Sequence, residues 1–150
     1  VATYTVRPLE AADKPRWREL FEGYLTFYKT ALSNEQIDLT FDRLLGDFEW
    51  DPSGLVAVNG QGRIDGITHY LFHRSTWSPT VYCYLEDLFV DPAVRGGGAG
   101  RALILAVYAK ADEKGATRTY WATQEFNYPG RTLYDKVADK SAFIQYRRPV

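Results

Sequence analysis

Arg95-Gly96-Gly97-Gly98-Ala99-Gly100, followed by Arg101, lies between a strand pattern and a helical pattern. Glycines at such a junction let the backbone approach a ligand closely and take positive φ. The unpaired N–H groups that open a helix, reinforced by its dipole, then form a site for an anion such as a phosphate. Arg95 and Arg101 could add charge-assisted hydrogen bonds. A bare glycine cluster is equally compatible with a flexible turn. Two nucleotide-site patterns fail here. A P-loop ends in Gly-Lys-Ser/Thr, whereas Gly100 precedes Arg101-Ala102. A dinucleotide fingerprint started at Gly96 or Gly98 would put Arg101 or Leu103 where its third small residue belongs.

Other residues that could do chemistry are less suggestive. Cys83 lies inside an apolar strand pattern with no His beside it in sequence, which reads as a buried structural thiol. His69 and His73, four apart on a strand, would stand about 13 Å apart, too far to share a metal, so no metal is expected. Each reads as a surface or hydrogen-bonded histidine. Asp47, Glu49 and Asp51 form an acidic cluster that could attract a polycation but reads more simply as a solvated loop.

The positioning elements follow from periodicity. Tyr4 and Val6 begin a strand ending at Pro8. Asp13 and Pro15 open a helix whose Trp17, Leu20, Phe21, Tyr24, Leu25 and Tyr28 recur at helical spacing. Ser33 and Gln36 make a capping-box pattern before Ile37, Phe41, Leu44 and Leu45. Leu55 to Val58 and Ile64 to Phe72 read as a hairpin around Asn59-Gly60-Gln61-Gly62. Val81 to Val90 is a long strand stopped at Asp91-Pro92, and Ala102 to Lys114 is a helix closed by Gly115. Thr119 to Thr123 is a strand, Asn127 and Pro129 start a helix through Val137, and Phe143 to Tyr146 is a last strand. The expected order is β-α-α-β-β-β-α-β-α-β: a mixed α/β domain, antiparallel at first, then a strand-helix-strand unit needing a crossover.

Composition sets the outer bounds. One hundred and fifty residues fit a single domain, 1–150, and 45% hydrophobic with 25% charged residues are globular values. A formal net charge of -1 argues against a duplex nucleic-acid partner. The single cysteine can form no internal disulfide. No apolar run approaches the ~20 residues needed to span a bilayer, and no signal-peptide pattern opens the chain, so a cytoplasmic location without a membrane partner is expected.

Two segments carry a family resemblance. Tyr84-Leu85-Glu86-Asp87-Leu88-Phe89-Val90-Asp91-Pro92 with the glycine arm resembles the acetyl-CoA motif of the GNAT N-acetyltransferase superfamily. Its pattern is Gln/Arg-x-x-Gly-x-Gly/Ala, and Arg95, Gly98 and Gly100 fill the fixed positions. Asn127, Gly130 and Leu133-Tyr134-x-Lys136 are similar to the family's Asn-x-x-Ala/Gly-x-x-Leu-Tyr-x-Lys segment. Leu85-Glu86-Asp87 looks like the polyamine acetyltransferases. Trp77, Tyr120-Trp121-x-Thr123 and Ile144-x-Tyr146-x-Arg148 look like the fungal histone and polyamine acetyltransferases. The family's Gly-Phe pair after this segment is missing, with Val137-Ala138-Asp139-Lys140 intervening before Phe143.

The resemblance implies a twisted, mostly antiparallel sheet of six to seven strands with about four helices, and acetyl-CoA as cosubstrate. The pantetheine arm would lie along the backbone of Leu88, Phe89 and Val90 as an added strand. The pyrophosphate would rest on Gly96, Gly97, Gly98, Ala99 and Gly100, flanked by Arg95 and Arg101. The Leu88 N–H would polarise the thioester carbonyl. Asn127 and Arg131 are further candidate contacts. An amine acceptor of pKa near 10.4 must first lose a proton, which costs about 4.6 kcal/mol at pH 7. Glu86 is the candidate base, though a solvated or paired glutamate is the plainer reading. Asp87 points to the other face unless a bulge breaks the alternation, so it is held as the reserve base, and with Tyr24 and Tyr28 as a candidate substrate contact. Tyr134 is a core aromatic on pattern alone; the motif makes it the acid that protonates the departing thiolate. The expected acceptor is a small primary amine, polyamine-like first, then amino acids or protein amines. A non-catalytic acyl-CoA-binding module is the alternative from another class, and a homodimer the expected assembly.

Overall fold

The computed structural model describes residues 3–150; residues 1 and 2 of the expected domain lie outside the described residues. Strand β1 (Thr5–Pro8) leads through a 3-10 turn (Ala11–Asp13) into α1 (Lys14–Phe27) and α2 (Asn34–Leu45). Strands β2 (Ser53–Val58), β3 (Ile64–His73) and β4 (Tyr82–Val90) follow, then a 3-10 turn (Pro92–Val94), α3 (Ala99–Lys114), β5 (Arg118–Tyr120) and α4 (Tyr128–Val137). The strands form one sheet in the order β1-β2-β3-β4-β5. The first four pair antiparallel, and β5 joins β4 in parallel through the α3 crossover.

Local chemistry sets the ends of these elements. Ser33 Oγ accepts the Gln36 N–H at 3.1 Å and caps α2, whereas the Gln36 side chain reaches Thr40 instead of completing the capping box. Asp13 does not cap α1. Its carboxylate accepts the Glu10 N–H at 2.8 Å and a forked pair of bonds from Arg7 at 2.8 and 3.0 Å, tying β1 to the start of α1. This bidentate pairing holds the Asp13 carboxyl below the ordinary carboxylate range. Gly115 ends α3 in the left-handed region at φ 72°, as its position after the helix predicted.

The two sheet faces carry separate cores. Trp17, Leu20, Phe21 and Leu25 of α1 and Ile37, Phe41 and Leu44 of α2 pack with Val56, Ile67 and Phe89 on one side. Leu103, Ile104, Val107 and Ala111 of α3 pack with Leu55, Tyr70, Cys83 and Leu85 on the other. Cys83 is buried and free, as expected, and burial pushes its thiol up to about 11.

Three expectations are corrected. The sheet has five strands, not six to seven, because Phe143 to Tyr146 forms none. Phe143, Ile144 and Tyr146 are 77%, 78% and 87% exposed, and a strand pattern with no neighbouring edge to bond cannot become a strand. Strand β5 stops at Tyr120 instead of Thr123. Helix α3 begins at Ala99 instead of Ala102, so the last residues of the glycine arm are already its first turn. No helix among the described residues is long and apolar enough to cross a membrane.

Candidate active site

Strand β5 pairs with β4 only from Tyr82 to Tyr84, opposite Arg118 to Tyr120. Beyond that point the two strands part, and Leu85 to Val90 present an edge with no strand beside it. Such an edge offers a row of unpaired backbone donors and acceptors to any extended ligand. Helix α4 closes the far side of the opening, and Leu133 and Tyr134 pack toward α3. A cavity of about 610 Å³ fills the gap. Its walls bring together most of the candidates: Tyr24 of α1 and Tyr28 just after it, Leu88, Phe89 and Val90 of β4, Arg95, Gly96, Gly98, Gly100 and Arg101 of the arm, and Asn127 and Tyr134 at α4. Glu86, Asp87, Gly97 and Ala99 are not among the lining residues, and Ala99 is 1% exposed.

The arm is shaped for close approach. Gly96 and Gly98 have φ 84° and 98°, a region that side-chain-bearing residues rarely enter. A Cβ on Gly100 would stand 3.1 Å from Leu133 Cδ2, so glycine here lets α3 and α4 meet. Gly98 supplies no side-chain cap to α3, leaving the first-turn amides without an intrahelical acceptor. Asp91 roots the arm: it accepts from Arg16 at 2.7 Å and from the Ala93 N–H at 2.9 Å. Arg95 donates to the Val90 carbonyl at 3.1 Å and lays its guanidinium over Phe89. Uncapped amides with two arginines beside a free strand edge suit a phosphate-bearing, strand-like ligand such as acetyl-CoA.

A bulge sits at the other end of the edge. His69 pairs with Asp87 and Tyr70 with Leu85, so Glu86 is the extra residue on β4. The bulge breaks the alternation that would have sent Asp87 to the face opposite Glu86. The Tyr24 hydroxyl makes a long 3.5 Å contact with the Glu86 carbonyl. Part of the Glu86 side chain reaches solvent, yet burial first and the Asp87 charge second raise its carboxyl above the ordinary value. Across the cavity the Tyr134 ring meets Trp121 edge-on at 5.5 Å, and burial pushes its phenol up to about 12. Asn127 holds the fold together at the start of α4, where its Oδ1 accepts the Gly130 N–H at 3.4 Å and its Nδ2 donates to Thr123 at 2.9 Å. Arg131 turns to the Glu125 carbonyl and does not line the cavity. Asp47, Glu49 and Asp51 lie on a loop and do not line the cavity, the first two exposed and Asp51 partly so.

A profile described as the acetyltransferase (GNAT) family matches residues 15–138. The chain belongs to the acetyltransferase (GNAT) family. It is an acetyl-CoA-dependent N-acetyltransferase. Over 148 residues it is 35% identical to the D-amino-acid N-acetyltransferase HPA3 of Saccharomyces cerevisiae, covering 95% of this chain and 89% of the yeast protein. A thialysine N-epsilon-acetyltransferase of Caenorhabditis elegans is 33% identical over 84 residues, 56% of this chain and 51% of the worm protein. Among solved structures, the aminoglycoside N-acetyltransferase AAC(6')-Iy in complex with CoA superposes with a TM-score of 0.82 at 16% identity, covering 99% of this chain and 96% of that one. That likeness establishes the fold.

For this GNAT chain the sequence reading missed part of the cavity wall. Phe27 shares the helical face of Tyr24 and Tyr28, a spacing that could have exposed it. Leu133 and Lys136 stand inside the quoted motif, whereas Pro129 signalled only a helix start and Thr132 carried no signal. The polar contacts of His69, bonded to Trp17 and Asp87, join residues 52 and 18 positions apart, which no local pattern reveals.

Proposed function

We propose that this enzyme acetylates the primary amine of a small molecule, with Glu86 as base and Tyr134 as acid. The observation carrying this reading is the free β4 edge, which runs from the Glu86 bulge to the glycine arm with Tyr134 across the cavity. Acetyl-CoA supplies an activated acetyl group as a thioester. The chain holds it by the Leu88–Val90 backbone and the Gly96–Gly100 amides, with Arg95 and Arg101 on the phosphates. The Leu88 N–H donates to the thioester oxygen as negative charge develops there. Glu86, directly or through one water, takes the proton from the acceptor ammonium and leaves a neutral amine to attack. Tyr134, kept protonated at neutral pH, donates to the departing sulfur. Complete transfer from a phenol near 12 to a thiol of pKa about 8.5 is uphill by roughly 5 kcal/mol. Its proton therefore supports the sulfur while the C–S bond breaks, and the second amine proton, released as the amide forms, neutralises the thiolate through water.

Polyamines were the first expectation for the acceptor. The relatives named for D-amino acids and for thialysine, an amino acid bearing a side-chain amine, support an amino-acid acceptor instead. Amino acids come first on that ground and polyamines second. Thiol release from acetyl-CoA, measured with panels of D- and L-amino acids, thialysine and polyamines, tests the reading. Release should be fastest with an amino acid and should fall about 100-fold in Tyr134→Phe with little change in acetyl-CoA affinity. Acetyl-CoA binding with no turnover on any amine would sink the catalytic reading.

A further inference from the structure

A buried polar chain runs from α1 through β3 to the β4 bulge. Trp17 is 0% exposed and His69 1%. The Trp17 indole N–H donates to His69 Nε2 at 2.9 Å, and His69 Nδ1 lies 2.8 Å from Asp87 Oδ2. An indole nitrogen is only a donor, so His69 Nε2 must present its lone pair. The ring proton is then on Nδ1 and donates to Asp87. A proton on Nε2 would set two N–H groups against each other, so the Trp17 bond selects the Nδ1–H tautomer. The ring plane is held as well, with Trp17 at 5.9 Å and Phe21 at 5.4 Å between centroids.

This chain ends at the one irregular place in the β3–β4 ladder. His69 opposes Asp87 where Glu86 is looped out of register, so the imidazole–carboxylate bond ties the bulge to the core. The groups facing Asp87 are His69 from β3, Tyr24 from α1, and Glu86 and Tyr84 from β4. We propose that His69 is a positioning residue for the acyl-transfer site: locked as its Nδ1–H tautomer, it fixes the Asp87 side chain at the bulge and thereby fixes where Glu86 stands. The inference rests on the reading of Glu86 as base, and the two can fail separately.

The tautomer is accessible in the unsubstituted enzyme. The chain has only two histidines, so 15N-imidazole NMR, assigned with His73→Asn, reports His69 directly. The expected signature is a ring protonated at Nδ1 with a bare Nε2. An Nε2-protonated His69 overturns the proposal. His69→Phe removes the donor to Asp87, and His69→Asn keeps an amide nitrogen near the Nδ1 position. Phe should lower kcat about 10- to 100-fold and move the acid limb of the kcat/KM profile, with the acetyl-CoA KM changed less than about twofold. Asn should restore most of both. Wild-type kcat and limb in folded His69→Phe, or an Asn variant no better than Phe, refute a positioning role. Glu86→Gln separates the two readings: an acid limb that survives it refutes Glu86 as base, whereas the Phe-to-Asn difference still decides the role of His69.

Discussion

At the scale of residues, Glu86 carries a conflict between stability and activity. Its carboxyl is raised by burial and by Asp87, so it loses its charge at a pH above that of an ordinary glutamate, about 4.3. In its proposed role as base it would work only when ionised, so kcat/KM should fall as pH drops through this raised value. Stability runs the opposite way. The folded chain binds this proton more tightly than the unfolded chain, so the ionised carboxylate weakens the fold above its folded pKa, and the penalty vanishes in acid. Glu86→Gln should therefore raise Tm slightly at pH 7 while turnover collapses, as thermal melts beside rate profiles would show. A lowered Tm would mean that the carboxylate has a stabilising partner. Tyr134 has no such conflict, because burial favours its protonated phenol, the form that the proposed acid role requires.

Among the elements, the arm joining β4 to α3 depends most on residue type. Gly98 sits at φ 98°, where a side chain costs about 1–2 kcal/mol. Relief of that strain would turn the first-turn amides of α3 away from the cavity. Gly98→Ala should lower Tm and weaken acetyl-CoA binding together, read by melts and by titration calorimetry. Gly60→Ala is the control, since a Cβ there meets nothing within 4 Å and should leave both unchanged. Equal effects of the two substitutions would show that backbone strain at the arm does not shape the site. The bulge in β4 is the second such element. Regular alternation would have put Glu86 and Asp87 on opposite faces, and one extra residue in the ladder removes that separation.

For the molecule as a whole, the two cores are carried by α1, α2 and α3 against the sheet, and the C-terminal segment adds little to either. Phe143, Ile144 and Tyr146 are largely solvated. Removing residues 141–150 should shift Tm by less than about 2 °C if the chain acts alone. A larger loss, measured together with sedimentation of the intact and shortened chains, would reveal a second copy covering these apolar side chains. The expected homodimer would then have its contact there.

Up to α4 the order of elements, the antiparallel-then-parallel sheet, the Ser33 cap of α2, the Gly115 stop of α3 and the glycine arm were legible in the sequence because each depends on local period, turn chemistry or a short motif. Chain order also sufficed for the family, since two motifs lie at a readable separation. The strand count was not legible: Phe143 to Tyr146 has a strand's pattern, and a pattern cannot supply the neighbouring edge a strand must bond. Nor could the sequence reveal that β4 and β5 part after Tyr84, that Glu86 is looped out, or that Trp17 and Asp87 meet through His69. Each of these depends on register and packing between segments far apart in the chain, where the free energy belongs to the pair and neither segment carries it alone.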